Sequence, residues 1–359
     1  MFSVGKRILS LLLTVIVAVP MMLLGPGISA QEVWEKRTIR YQDIEEIVDG
    51  SLDFSGQRES LKEMQSLFNQ TKTSLDNLAE DLTRQLATLP ETSELRGVIQ
   101  GLLVNTQALS GQVAASATTI GESISQVNSA RDQLVVGVKN LFITYNTLYD
   151  QRQELSRSLT VIDANLAAAE KQYELGMSTA LDLENTRQNR VSVLSGMETM
   201  DFQLRNLKRS LNAMIGRNYD DGISIGDIPS PDLSYVEEIN FRDDLEDAGG
   251  YYGVSSIPSN HEDFEEIKGS FGASLRKQYE NIGENQRLLQ EAEDALALET
   301  KNFEASQLQY DLGMISKLAL TNAQDTLDTK KASVKAARDN LFLAIEQYKW
   351  AVEYGIISS

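Results

Sequence analysis

The sequence predicts an all-α protein made of long antiparallel coiled-coil hairpins, present twice, with little or no β structure. Three observations predict it. Apolar residues return at every seventh position over most of the chain; the hexapeptide QYELGM at 172–177 recurs as QYDLGM at 309–314; and of 359 residues only 7% are aromatic and 6 are proline. A sustained seven-residue apolar row marks a helix packed against another helix. A chain this poor in aromatic residues lacks the usual filling of a compact globular core.

Residues 1–30 read as a secretory signal peptide, because Lys6 and Arg7 precede the apolar run Ile8 to Leu24 and the small-residue stretch GPGISA follows it. Cleavage is expected after Ala30. Pro20 inside the run and the small residues beyond it favour cleavage over an uncleaved membrane anchor. No later stretch approaches the roughly 20 apolar residues that a membrane helix needs. Residues 31–54 form an N-terminal segment without a helical row.

The first helical repeat is expected over 55–216. Its first helix carries Leu61, Phe68, Leu75, Leu82 and Leu89, and Pro90 in the stretch PETS ends it. Thr92 or Ser93 is suited to cap the next helix. A second row then runs through Val113, Ile120, Val127, Leu134, Leu141, Leu148, Leu155, Ile162 and Ala169. It predicts a helix from about Glu94 to Leu175, on the order of 120 Å long at 1.5 Å per residue. Gly97, Gly101, Gly111, Gly121 and Gly137 each cost roughly 1 kcal/mol relative to alanine, and mark where its first half would bend or break.

Gly176 closes that helix. A glycine after Tyr173 and Leu175 takes the left-handed conformation of a helix C-terminus without strain, and Ser178 or Thr179 can cap a returning helix. The return carries Val193, Met200, Leu207 and Met214 on one row and Leu183, Met197, Leu204 and Leu211 on another, with Arg190 as the polar interruption, and stops at Gly216.

The second helical repeat, expected over 263–355, follows the same plan. Leu275, Ile282, Leu289, Leu296, Phe303 and Tyr310 lead to Gly313, and Leu320, Leu327, Val334, Leu341 and Tyr348 lead away from it. Tyr173 and Tyr310 stand 137 positions apart, and the same offset carries Leu183 to Leu320, Leu204 to Leu341 and Leu211 to Tyr348. A chance match of six residues would not keep register along a whole helix. Ala337, Ala344 and Ala351 replace Met200, Leu207 and Met214, so the second seam admits closer approach. Between the copies, 217–262 is dense in Gly, Pro, Ser and Asp and reads as an irregular linker with one short helix near Val236 to Asp247.

Composition excludes several functions. Lys and Arg number 33 against 52 Asp and Glu, a formal charge of −19, which repels the phosphate backbone of a nucleic acid. There is no cysteine, hence no disulfide and no thiolate nucleophile or ligand. His261 is the single histidine, so nucleophile–histidine pairings are nearly exhausted. The acidic runs lack the spacing of a calcium loop. No catalytic residue, metal or cofactor is assigned, and function is expected to lie in shape and contacts.

The stretches AAAEKQYELGMSTALDLENTRQNRV and FEASQLQYDLGMISKLALTNAQDTL, duplicated in a chain with an export signal, resemble the bends of TolC-like outer-membrane efflux proteins. The close resemblance covers about 134–216 and 271–355. It implies a homotrimer whose hairpins build a hollow α-barrel, and bends that engage a periplasmic adaptor and an inner-membrane transporter. Leu175, Gly176, Met177, Leu312, Gly313 and Met314 would then form the docking tip. Asp182 matches the family's pore-constricting acids just beyond the bend, while Ala319 stands at the equivalent place in the second copy. The resemblance also implies two β-hairpins per protomer for a membrane barrel; the uninterrupted row from Val113 to Ala169 and the isolated YYGVSSI at 251–257 leave no room for them. The competing expectation is an exported spacer or adhesin whose rods form a solid bundle without a lumen.

Overall fold

The computed structural model describes residues 38–91, 93–248 and 264–357. The signal-peptide segment, His261 and the YYGVSSI stretch lie outside them.

Five long helices dominate the described residues. Helix α2 spans Phe54–Thr88, α3 Glu94–Glu174, α4 Ala180–Met214, α7 Phe264–Asp311 and α8 Lys317–Tyr354, with α2 folded back on the first half of α3. Short helices α1 (Ile44–Ser51), α5 (Leu233–Glu238) and α6 (Phe241–Ala248) fill the ends. Among the described residues β structure is confined to β1 (Thr38–Ile39) paired in parallel with β2 (Ser224–Ile225).

The apolar rows explain the pairing. Val113, Leu183, Leu204, Leu211, Leu275, Ile282, Leu327, Val334, Leu341 and Tyr348 are all buried, so each rod turns its row toward a neighbour. α3 packs α4 on one side and α8 on the other, and α7 packs on α8. α4 and α7 share no extended packing. The order α4, α3, α8, α7 is therefore an open layer with two free edges.

Three expectations are corrected. α3 is continuous through Gly97, Gly101, Gly111, Gly121 and Gly137; the helix ladder is intact, and at Gly121 and Gly137 the Gln65 and Met214 side chains occupy the space a Cβ would need. Ser93 is the N-cap of α3 but its hydroxyl makes no capping bond. The Arg96 guanidinium instead ties that turn by donating to the Leu89 carbonyl at 3.0 Å. The linker holds two short helices, where one was expected. Asp232 accepts from the Tyr235 N–H at 3.1 Å to start α5, and Asn240 accepts from the Arg242 N–H at 3.3 Å to start α6.

The densest packing lies far from the bends. Tyr41 sits edge-on against Phe142 of α3 and Phe342 of α8, with ring centroids 5.7 and 4.9 Å away. Nearby, α1 is bolted to α3 by Arg131 with Asp49 at 2.8 Å and Lys139 with Glu45 at 2.7 Å. On α8's other side, α6 closes a cluster of Ala248, Phe271, Leu275, Ile282, Leu341, Ile345 and Tyr348. Residues 38–54, whose sequence carries no seven-residue row, thus tie the first hairpin to the second.

Candidate functional site: docking tips and open edges

The two bends are built alike. Gly176 and Gly313 have φ of +70° and +72°. In the first, Met177 N–H donates to the Gln172 carbonyl at 2.8 Å and Gly176 N–H to the Tyr173 carbonyl at 3.0 Å; in the second, Met314 donates to Gln309 at 2.8 Å and Gly313 to Tyr310 at 2.8 Å. This paired pattern closes a helix only around a left-handed residue, which is why glycine occupies it. The repeated hexapeptide is one turn of hydrogen bonding written twice.

Both bends are apolar and bare. Leu175 is 66% exposed, Met177 75%, Leu312 66% and Met314 71%. A Cβ at either glycine would meet nothing within 4 Å. Each triplet is brought together by its own bend, and among the described residues no hydrogen bond or ion pair joins one bend to the other.

The returning helices start differently. Thr179 Oγ1 accepts from the Asp182 N–H at 3.1 Å, and the Asp182 carboxylate accepts from the Thr179 N–H at 3.2 Å and its hydroxyl at 2.6 Å. The Thr179 side chain, then its backbone, then Ser178 hold the Asp182 carboxyl below the usual carboxylate range. Asp182 is thus half of a reciprocal cap. In the second copy Ser316 caps Ala319 at 3.1 Å, and no acid returns the bond.

Along α3 and α4 lies a basic, aromatic groove of about 280 Å³ lined by Tyr145, Tyr149, Arg152, Asp201, Arg205 and Lys208. Tyr145 and Tyr149 stack at 6.2 Å, Lys208 Nζ lies 5.4 Å from the Tyr145 ring centroid, and Arg152 pairs with Asp201 at 3.0 Å. Sequence reasoning missed this groove, although the run of Arg205, Lys208 and Arg209 on an acidic chain was a signal for it.

The seam between the hairpins is polar. Lys335 of α8 pairs with Asp150 of α3, and Arg157 donates to the Asp328 carbonyl at 2.8 Å. They border a cavity of about 430 Å³ that also meets Asp339. Burial, with Asp150 and Asp227 adding to it against Lys335 and Arg338, pushes the Asp339 carboxyl up to about 6. Among the described residues no helix is long and apolar enough to cross a membrane, and no acidic or histidine cluster is arranged to hold a metal ion.

No protein-family model matches the chain, and a search of curated proteins finds no significant relative. Among solved structures the chain is similar to the outer membrane protein VceC from Vibrio cholerae, at 11% identity and a TM-score of 0.45, covering 88% of this chain and 96% of that one. It is also similar to the Campylobacter jejuni CmeC outer membrane channel, at 10% identity, TM-score 0.43 and 69% of each chain. A third likeness is to the outer-membrane channel OprN, at 11% identity, TM-score 0.42, covering 88% and 89%. Likenesses at this level transfer no residue role and no partner.

Proposed function

We propose that the chain is an exported TolC-like efflux component, a subunit of a helical tube that passes small solutes outward from an inner-membrane transporter through a periplasmic adaptor. One observation carries the proposal: the long helices lie as an open layer, α4, α3, α8, α7, whose two outer edges expose apolar side chains. Rods with narrow apolar stripes gain most of their stability from neighbours, so closing such layers into a ring buries what the single chain leaves wet. The formal charge of −19 would give the ring a hydrated, acidic surface.

The bends are the proposed docking tip for the adaptor. Four large apolar side chains at Leu175, Met177, Leu312 and Met314, each more than 60% exposed, make two bare knobs of the kind that a partner covers. Asp182 remains the candidate acid at the constriction, and its capping bonds hold it ionised near neutral pH. The function needs no catalytic group, metal or cofactor.

Native mass measurement and end-on electron microscopy of the chain test the tube. A trimer with a central hole is expected. A stable monomer overturns the reading, and a bundle without a hole replaces it with the spacer or adhesin. Adaptor pull-down tests the tip: Gly176→Pro and Gly313→Pro, which cannot take a φ near +70°, should abolish capture while export continues. Unchanged capture by both variants removes the docking assignment.

A further inference from the structure

The arginines of α4 do not share one fate. Arg187, Arg190 and Arg209 pair with Glu170, Asp163 and Asp220 at 3.2, 2.6 and 2.8 Å. Arg205, on the same helix, makes no ion pair or hydrogen bond among the described residues, although carboxylates outnumber cations 52 to 33 over the chain. It stands in the wall of the groove between α3 and α4. The hydroxyls of Tyr145 and Tyr149, in the same groove, likewise bond to no described residue.

Packing accounts for the rest of the lining. Arg152 grips the Asp201 carboxylate with two donors, at 3.0 and 3.4 Å, and Lys208 donates to the Ile223 carbonyl at 3.2 Å while lying over the Tyr145 ring. These bonds fix the walls without any ligand. They leave Arg152, Arg205 and Lys208 against the single carboxylate of Asp201, so the groove is locally positive on an acidic chain. The two tyrosine rings lie 15° from parallel, and Tyr149, 43% exposed, sets a partly bare aromatic surface beside that charge. At about 280 Å³ the groove stands at the small end of ligand clefts, which limits an occupant to one or two rings.

We infer that this groove binds a small aromatic anion, its carboxylate or sulfonate on the Arg205 guanidinium and the tyrosine hydroxyls, and its ring against Tyr149. A charged acceptor is the partner that a guanidinium bonds most strongly. A neutral aromatic would leave Arg205 without one, a bare inorganic anion would leave the tyrosine surface wet, and an organic cation would meet Arg205 and Lys208 as like charges. The inference is independent of the tube, because the groove is built within one hairpin of one chain.

Calorimetric titration of the full-length chain with naphthoate tests the site. One site per chain is expected, with a Kd of about 1 mM or tighter, weakening several-fold in high salt because exposed charges are screened. Arg205→Gln, which breaks no bond of the fold, should weaken binding about tenfold, and Arg205→Lys should keep part of it. Tyr149→Leu should weaken binding about fivefold. Arg187→Gln, which removes a cation elsewhere on α4, should leave it unchanged. Naphthylmethylamine and inorganic phosphate should each bind about tenfold more weakly than naphthoate. No saturation below about 20 mM naphthoate overturns the site, and so does wild-type affinity in Arg205→Gln. An equal loss in Arg187→Gln reduces the effect to net charge and overturns it too. Phosphate binding as tightly as naphthoate overturns the aromatic class.

Discussion

Tyr41 donates a 2.7 Å hydrogen bond to the Glu346 carboxylate across 305 residues of sequence. Both groups are buried, and Lys349 reaches Glu346 from one turn away at 3.7 Å. The bond joins the N-terminal segment to the last helix, while α1 beside it grips α3. Removing the hydroxyl in Tyr41→Phe leaves a buried carboxylate short of a donor, so the variant should lose about 1–3 kcal/mol in urea unfolding. An unchanged midpoint would mean that the N-terminal segment is not a fastener.

The bends should be equally sensitive to a side chain. Gly176→Ala and Gly313→Ala place a Cβ where φ is near +70°, at a cost of about 1 kcal/mol each. Thermal unfolding should show two similar losses that add in the double variant, since the bends share no bond. Unequal losses would break the equivalence of the two hairpins.

Asp182 should matter to one hairpin and in one pH window. Its folded carboxyl is held below the ordinary 3.8, so its contribution is present above that value and is lost as pH falls through the depressed one. Asp182→Asn should speed hydrogen exchange of the first turn of α4 at neutral pH and leave α8 unchanged, because Ser316 caps alone there. Equal effects on both helices would refute the reciprocal cap.

Asp339 should behave in the opposite sense. Its carboxyl is raised from 3.8 to about 6, so the folded chain holds the proton more tightly than the unfolded one. Stability should rise as pH falls from about 6 toward 4, and Asp339→Asn should raise the unfolding midpoint at pH 7 and flatten that slope. A wild-type midpoint that falls over the same window would contradict the burial of this group at the seam.

Leu211 is fully buried at the end of the α4 row, at the position that corresponds to Tyr348 in the second copy. Leu211→Ala should cost about 2–5 kcal/mol in urea unfolding. A loss below 1 kcal/mol would show that this end of the first hairpin is loosely packed.

The sequence by itself determined the rods, their bends and their doubling. Seven-residue rows and a glycine after Leu175 and Leu312 are local signals, because a helix face and a left-handed turn are set by residues within a few positions. The bare tips were legible for the same reason, since nothing but the bend surrounds them. Other features were decided by the tertiary structure alone. Asp182 matches a pore acid by position, and only the coordinates show that its carboxylate also caps its own helix through Thr179. Tyr41, Glu45 and Asp49 gave no periodic signal; their partners Arg131, Lys139 and Glu346 lie 82 or more residues away. The open order α4, α3, α8, α7 could not be read either, because a heptad row says that a helix has neighbours without saying which. That choice belongs to long-range packing, and it leaves apolar side chains of α4 and α7 exposed.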